Sequence, residues 1–381
     1  MNKGFLSDSL IKPNEIETAK EAASKTKLPL LDLTCSNLTK YGYIFPSEIL
    51  KRGVEAFLSN RFYDPDPKGL FSAREALVEY YRKYRDYNIT ADSVLITSST
   101  SESYNLLFTL LADPGDNFLA PELSYPLFDL LAQASHVELK PYKMKRTKQW
   151  EIDYEDLCAQ VDERTRGVLL ISPHNPTGMV IEGANDLLNK LKLPLICDEV
   201  FCHFVDTKPA PVLGRLYGEI PVFCLNGISK MFALPDLKLA WIALNDNASK
   251  AYLNRLEILN DCYLSANSIT QSMLPSILAQ GMEFSNEMIK SIREKVFFVE
   301  EELRRIPFFE VVKSKGGAFV FASLDADYDE ENLVIELIKE GAFVHPGYFY
   351  GANERAHIMI SCVPSLEILR EGLSIIKKHF R

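Results

Sequence analysis

Lys230 stands at a position where a lysine is costly unless it has a chemical use. It follows Ser229 and an apolar run, 222–228, that predicts a buried strand. An amine at the end of a buried strand must be paired or used covalently. Burial also lowers the pKa of an amine, which can then attack the carbonyl group of a cofactor and form an imine. The commoner alternative is a lysine that extends from the strand end to solvent, so the other strand ends decide between the two.

Three hydroxyl residues, Ser99, Thr100 and Ser101, follow another apolar run, 94–97. They come shortly before a predicted helix over residues 104–111. Hydroxyls and free backbone N–H groups at the N-terminus of a helix suit a phosphate group. The alternative is an ordinary helix cap, because Ser99 and Glu102 have the spacing of a capping box.

Three further candidates also follow apolar runs. Tyr125 comes after the run 118–120 and would place an aromatic ring near the end of that strand. Asn175 comes after the run 168–171, in a turn that two prolines and a glycine make rigid. Asp198 follows the next apolar run directly and adds a carboxylate. Taken singly, each of them is an ordinary core residue or a polar residue at a strand end.

These residues come together if the chain forms a parallel sheet. Short apolar runs alternate with helical or loop segments, which predicts an α/β fold with a mostly parallel seven-stranded sheet between helices. The seven predicted strands are 94–97, 118–120, 137–140, 168–171, 194–197, 222–228 and 239–244. Ligands of such sheets bind beyond the carboxyl ends of the strands. We therefore expect the candidate residues to lie at one edge of the sheet.

The pattern changes after residue 280. A long helical stretch that ends near Arg305 precedes several short strands and two more helices, at about 330–340 and from Leu366. This part of the sequence predicts a smaller α+β domain, with a boundary near residue 280.

The chemistry of pyridoxal 5′-phosphate needs four groups together: an amine, a carboxylate, an amide and a phosphate-binding helix terminus. The lysine forms an imine with the aldehyde of this cofactor, and the carboxylate keeps the ring nitrogen protonated. The amide bonds to the ring oxygen, and the helix terminus takes the phosphate. We therefore predict pyridoxal 5′-phosphate as the cofactor, and we expect no metal site.

Composition excludes several other classes of protein. The chain has 42 basic and 52 acidic residues and a net charge of −10, which argues against nucleic acid or an anionic membrane as a partner. No apolar run approaches the roughly 18 residues that a membrane span needs. The seven cysteines include no C-x-x-C pair and fit a reducing compartment. We expect a cytoplasmic protein.

The order of these motifs resembles the aspartate-aminotransferase-like, fold-type-I pyridoxal-phosphate enzymes, the class I and II aminotransferases. The resemblance covers nearly the whole chain, and its N-P-x-G, D-E and S-K motifs are specific when they occur together at these spacings. The matching residues are Tyr63, Gly69 and Arg74, Ser99-Thr100-Ser101, Tyr125, Asn175-Pro176-Thr177-Gly178, Asp198-Glu199-Val200, Ser229-Lys230, Lys238, and Gly316-Gly317-Ala318-Phe319.

The resemblance implies a role for each residue. Lys230 would be the Schiff-base lysine and would later carry a proton between the substrate Cα and the cofactor C4′. Asp198 would partner the pyridine nitrogen, Asn175 would bond the ring oxygen, and Tyr125 would stack on the ring face.

Phosphate binding is implied for a second group of residues. The three hydroxyl residues 99–101 and Ser229 would bind the phosphate, and Lys238 would supply a positive charge for it. Tyr63 would reach the phosphate from the partner subunit, because active sites in this family lie at a dimer interface.

The resemblance also implies the activity and the domain boundaries. The activity would be an aminotransferase reaction between an amino acid (or amine) and a 2-oxo acid through a pyridoxamine intermediate. The large domain would span residues 46–280, and residues 1–45 would join 281–381 in the small domain.

Three positions depart from the commonest pattern of the family. Lys238 stands where most members have arginine, and Phe201 stands where many have a tyrosine that bonds the ring oxygen. Met359 stands where the family usually has the arginine that grips the substrate α-carboxylate. Another cation could grip the carboxylate instead, and Arg355 is nearest in sequence. Otherwise the substrate lacks an α-carboxylate, or catalysis is weak.

Two other functions remain open at this point. A carbon–sulfur β-lyase would use the same lysine, and the sequence Pro173-His174-Asn175-Pro176 resembles that group as well. A regulatory protein of the same fold would bind an effector without turnover. Such regulators usually carry a basic DNA-binding domain, for which this acidic chain has no room.

Overall fold

The computed structural model describes residues 13–26, 29–206, 208–264, 266–324 and 328–381. Parts of the predicted small domain, residues 1–12, 27, 28 and 325–327, therefore lie outside the described residues. The helices are α1 (Glu15–Ser24), α2 (Ser47–Ser59), α3 (Phe71–Tyr84), α4 (Thr100–Leu111), α5 (Leu127–Ala134), α6 (Tyr154–Ala159), α7 (Asp186–Leu191), α8 (Leu213–Leu216), α9 (Ile228–Met231), α10 (Asp246–Asp261), α11 (Ser268–Gln280), α12 (Met282–Arg304), α13 (Glu330–Glu340) and α14 (Leu366–His379).

The strands are β1 (Leu31–Asp32), β2 (Val94–Thr97), β3 (Asn117–Pro121), β4 (Glu138–Tyr142), β5 (Met144–Arg146), β6 (Trp150–Ile152), β7 (Thr165–Ile171), β8 (Leu195–Asp198), β9 (Val222–Gly227), β10 (Ala240–Leu244), β11 (Phe309–Val311), β12 (Phe319–Leu324), β13 (Ala342–Phe343), β14 (His345–Pro346) and β15 (His357–Ser361).

A seven-stranded sheet with the order β2-β10-β9-β8-β7-β3-β4 forms the centre of the molecule. Neighbouring strands from β9 to β4 pair in parallel, and β10 is antiparallel to both β2 and β9. The predicted α/β fold with its mostly parallel seven-stranded sheet is confirmed.

The sheet is buried on both faces because its strands are apolar at successive positions. In β2, Val94 and Ile96 pack with α3 and α11 on one face, whereas Leu95 packs with α4 and α10 on the other. All residues of β8, β9 and β10 are buried as well. A polar residue at the end of such a strand is therefore held by rigid structure on both sides.

A second, smaller sheet with the order β11-β12-β15-β14 is antiparallel, and β1 pairs in parallel with β13. These strands share a separate hydrophobic cluster with α13 and α14. The long helix α12 contributes to both clusters, with Ile289 and Ile292 in the first and Val296 and Val299 in the second. The division into residues 46–280 and residues 1–45 with 281–381 stays a prediction.

No helix in the described ranges is both long enough and apolar enough to cross a membrane.

Candidate active site

The carboxyl ends of β7, β8 and β9 lie side by side in the main sheet. In the register of these strands Ile171 pairs with Asp198, and Asp198 pairs with Leu225. Lys230 follows β9 within the short helix α9. Asp198 and Lys230 are close enough that the charge of each shifts the pKa of the other. The structure thus places the predicted amine and carboxylate together.

Asp198 is buried and has a hydrogen-bond donor at each carboxylate oxygen. The Tyr104 hydroxyl donates to Oδ2 at 3.0 Å, and the Val200 backbone N–H donates to Oδ1 at 3.1 Å. Burial raises the pKa of Asp198 to about 6, although these hydrogen bonds and the charge of Lys230 act in the opposite direction. A carboxylate in this setting is stabilised by a cationic partner such as a protonated pyridine nitrogen.

Lys230 is partly buried, and this burial lowers the pKa of its amine, while the charge of Asp198 opposes the shift. Its Nζ lies 6.0 Å from the centroid of the Phe201 ring. A lowered pKa increases the fraction of neutral amine at neutral pH, and neutral amine is the form that attacks a carbonyl group or accepts a proton.

Asn175 lies in a loop, residues 172–178, that is tied to the smaller sheet. The backbone N–H groups of Lys315 and Gly316 donate to the Gly178 carbonyl at 3.1 and 2.9 Å. Gly178 has a φ of 70°, and an added Cβ would lie 2.1 Å from Ser314 Oγ, so glycine is required there. The loop is therefore fixed at its far end, and it holds the Asn175 side chain in one place.

The Asn175 amide also has an unsatisfied polar atom. Its Oδ1 is buried and has no hydrogen-bond partner within the described chain. Leaving such an atom unpaired costs about 1–3 kcal/mol. Oδ1 can only accept, whereas the N–H groups of the same amide, at the same sheet edge as the amine and the acid, are the ones that can donate to the oxygen of a bound ring. The donor set thus fits pyridoxal 5′-phosphate.

The N-terminus of α4 confirms the interpretation of Ser99 as a helix cap, whereas phosphate binding there stays a prediction. Ser99 caps the helix, because its Oγ accepts from the Glu102 backbone N–H at 3.1 Å. The hydroxyls of Thr100 and Ser101 open the helix and form no hydrogen bond with described residues. The Glu102 carboxylate in turn accepts from the Ser98 N–H, so an acid already occupies part of this helix terminus.

Tyr125, Tyr63 and Lys238 lie further out. The Tyr125 side chain is 45% exposed, and its ring packs edge-on against Phe128 at 6.3 Å. Tyr63 is 72% exposed and makes no hydrogen bond in the described part of this single chain. Lys238 is exposed, with its backbone in the left-handed region at φ 50°. Contacts of these three with the buried residues of the site stay a prediction.

Two contacts around Asp198 were missed from the sequence. Tyr104 was assigned only to a helix, because a tyrosine on an amphipathic helix is usually a core residue. The other contact is the ion pair between Glu199 and Arg85, which are 2.8 Å apart with both side chains fully buried. Glu199 also accepts from the Leu213 N–H at 2.8 Å. This pair anchors the chain directly beside Asp198.

Met359 lies in β15, where it is 1% exposed and pairs with Phe321 of β12. Phe319, two residues earlier on β12, packs against Phe201 at 5.7 Å. Phe201, whose ring lies near the Lys230 amine, is therefore backed by an aromatic residue of the smaller sheet. Arg355, the cation expected to replace the missing arginine, instead pairs with Glu310 at 3.0 Å and donates to the Leu324 carbonyl.

Known proteins are similar to this chain over most of its length. The family model for aminotransferase class I and II matches residues 36–376. A probable aminotransferase of Arabidopsis thaliana is 30% identical over 317 residues, which cover 78% of this chain and 71% of the relative. The glutamate-pyruvate aminotransferase of Escherichia coli (strain K12) is 26% identical, with 91% and 89% covered. The alanine aminotransferase structure from Pyrococcus furiosus has the same fold, with a TM-score of 0.88 at 22% identity and 98% and 99% coverage.

We expect Asp198→Asn to change how the stability of the cofactor-free protein depends on pH. The folded protein keeps the Asp198 proton up to about pH 6, whereas an unfolded chain releases it near pH 4. The free energy of unfolding contributed by this group therefore falls between these values, by about 1–3 kcal/mol. Urea unfolding at about pH 4.5 and 6.5 measures this change. Between these two pH values the free energy of unfolding of the wild type should fall by about 1–3 kcal/mol relative to the variant. An equal difference at both pH values would contradict the burial of an ionisable Asp198.

We expect Tyr104→Phe to raise the pKa of Asp198 further, because it removes a hydrogen bond that stabilises the charged form of the carboxyl group. The pH range over which the free energy of unfolding falls then extends upward. The same unfolding experiment should then show stability still falling above pH 6. Tyr142→Phe is the matched control, since Tyr142 is also buried but donates to the Leu169 carbonyl. If both variants lose stability in the same window, Tyr104 does not act on Asp198.

Proposed function

Because the chain belongs to the aminotransferase class I and II family, we propose that it transfers an amino group between an amino acid and a 2-oxo acid at the site around Lys230. Pyridoxal 5′-phosphate is the cofactor of this family. When bound, it withdraws electrons from the substrate Cα and so makes the proton on that carbon removable. The observation that carries the proposal is the proximity of Lys230 and Asp198, each of which shifts the pKa of the other.

Lys230 is the residue that moves the proton. Its lowered pKa suits a base that works near neutral pH. It would take the proton from the substrate Cα and deliver it to the cofactor C4′. Asp198 keeps a positive charge on the ring nitrogen, and Tyr104 and Val200 hold both of its oxygens in place. Asn175 bonds the ring oxygen, and Tyr125 covers one face of the ring.

The phosphate is held at the N-terminus of α4 by Thr100 and Ser101, with Ser99 fixing the turn as the helix cap. Ser229, next to Lys230 on α9, adds a hydroxyl. Lys238 supplies a positive charge. An exposed lysine forms a weaker and less directional contact than an arginine fork would, so a weaker hold on the phosphate is expected.

The protein acts as a homodimer in which Tyr63 reaches the phosphate of the partner subunit. Large apolar side chains are exposed in the loop that contains Tyr63, with Phe62 81% exposed, and near the end of α10, with Leu264 67% exposed. These two regions adjoin, because Asn260 of α10 donates to the Pro67 carbonyl at 2.6 Å. An exposed apolar patch of this kind is typical of a protein–protein interface.

Phe201 lies near the Lys230 amine and packs against Phe319, and this apolar side of the site favours donors with an apolar or aromatic side chain over aspartate. A second carboxylate would lose its water there without gaining a paired cation. Arg355 is committed to Glu310 and does not replace the arginine of the family.

Two broader assignments complete the proposal. The seven cysteines are all free, which supports a reducing compartment such as the cytoplasm. The hydrophobic cluster around β12 and β15 supports a small domain built from residues 281–381 together with the N-terminal 45 residues.

A donor screen tests the activity. The wild-type protein should convert a 2-oxo acid such as pyruvate to its amino acid, with leucine or phenylalanine as a better donor than aspartate. Lys230→Ala should lose at least about 10³-fold in rate, because it removes the amine that moves the proton. Borohydride should fix the cofactor to the Lys230 peptide, as read by mass spectrometry. Full activity of the variant, or pyruvate and ammonia formed from S-substituted cysteine as the main reaction, would contradict the proposal.

Hybrid dimers test whether Tyr63 acts across the interface. Tyr63→Ala and Lys230→Ala chains, refolded together, should regain up to about one quarter of the wild-type sites, since a hybrid dimer holds one complete site. Each variant refolded alone is the control. Activity that stays at the level of the separate variants would show that Tyr63 acts within its own chain.

A further inference from the structure

A cavity of about 840 Å³ lies between the β5–β6 hairpin and residues 351–357. None of the residues assigned to the cofactor lines it. Its walls come from both parts of the fold, since the hairpin lies beside the main sheet and His357 belongs to β15 of the smaller sheet. A cavity of this volume is large enough for a small organic ligand.

Two buried polar atoms on the wall of this cavity have no hydrogen-bond partner in the described ranges. They are Nε1 of Trp150 and Nε2 of His357. The two side chains are 7% and 5% exposed, and their ring centroids are 6.2 Å apart. Buried polar atoms are nearly always paired in proteins. The two residues line one cavity and both nitrogens are closed off from solvent, so a ligand that completes them must displace the groups that cover them.

The two nitrogens require complementary groups on that ligand. The indole N–H of Trp150 can only donate. His357 Nδ1 lies 2.7 Å from the Arg355 carbonyl, which can only accept, so Nδ1 carries the proton and Nε2 is an acceptor. Burial lowers the pKa of His357 to about 4, so the ring is neutral near pH 7. The ligand must offer an acceptor and a donor side by side.

The charged side chains around the cavity carry both signs. Glu122 and Glu354 supply carboxylates, while Lys143 and Arg146 supply positive charges. Apolar side chains such as Leu139 lie between them. A ligand with a single charge would meet repulsion on one side, whereas a small zwitterion matches both.

We propose that this cavity binds a free α-amino acid, whose carboxylate accepts from Trp150 Nε1 and whose ammonium group donates to His357 Nε2. The ammonium and carboxylate groups of an amino acid are adjacent, as the two ring nitrogens require. The site is distinct from the one around Lys230, and it does not depend on the reaction proposed there. Because β15 carries both His357 and Met359, the ligand contacts the strand that holds the residue at the position of the family's arginine.

The full-length enzyme, with its cofactor fixed to Lys230 by borohydride, is the sample for the test. The chain has two tryptophans, and Trp241 is fully buried with its N–H bonded to Tyr81. Tryptophan fluorescence therefore reports mainly on Trp150 when ligand enters the cavity. We expect a saturable change with at least one of the standard L-amino acids at up to about 10 mM, a concentration that detects even a weak site.

His357→Phe should weaken the binding of that amino acid about tenfold, because the variant keeps a ring to stack on Phe321 but lacks the acceptor Nε2. Ser249→Ala is the matched control, since it removes a buried, unpartnered polar atom away from the cavity, and it should bind as the wild type does. Trp150→Phe should lose the fluorescence change, with weakened binding still measurable by calorimetry. The absence of a saturable change with every amino acid would overturn the proposal, and so would equal affinity in wild type and His357→Phe.

Discussion

A buried carboxylate and a partly buried amine lie at or just beyond the ends of two adjacent strands, and the surrounding structure is arranged to keep them there. Burial raises the pKa of Asp198 and lowers the pKa of Lys230, so it disfavours the charged form of each group. Neither is fully compensated by the other, because Lys230 also lies over the Phe201 ring rather than in an ion pair with Asp198. Such an arrangement is unfavourable for folding alone. It becomes favourable when a ring with a carbonyl group and a basic nitrogen binds between them.

The surrounding residues keep Asp198 and Lys230 from moving to positions of lower free energy. Arg85 and Glu199 form a fully buried ion pair next to Asp198, and Arg85 also donates to Cys202 Sγ at 2.9 Å. Removing one partner of such a pair costs about 3–5 kcal/mol, because the other charge remains buried. On the opposite side, Arg293 holds the loop that contacts Gly178 by donating to the carbonyls of Ser314 and Gly317. The rigidity of the site is therefore produced by residues that never touch the reacting atoms.

Much of this could be predicted from the sequence, because the strands of a parallel sheet are continuous apolar runs and their polar ends stand out. Lys230, Asp198 and Asn175 were found in this way. Tyr104 was not, since its hydroxyl reaches Asp198 only after α4 packs against the main sheet, and a helical pattern does not show that contact. The β5–β6 hairpin was missed because each strand has three residues, too few for an alternating pattern to be recognised. Arg355 pairs with Glu310, which lies 45 positions away in the sequence, and no local sequence pattern indicates this ion pair.

The substitution of Met359 for the arginine of the family separates two properties that usually occur together. The groups that would hold the cofactor are present and fit it, whereas the position of the arginine that grips the substrate carboxylate holds the buried, apolar Met359. Asp198 serves the ring nitrogen of the cofactor that Lys230 binds if the first property is as proposed. Nuclear magnetic resonance of the loaded protein with a ¹⁵N-labelled pyridine nitrogen measures the protonation of that nitrogen. We expect a protonated ring nitrogen in the wild type near pH 8 and a neutral one in Asp198→Asn. The same nitrogen signal in both proteins would contradict this role of Asp198.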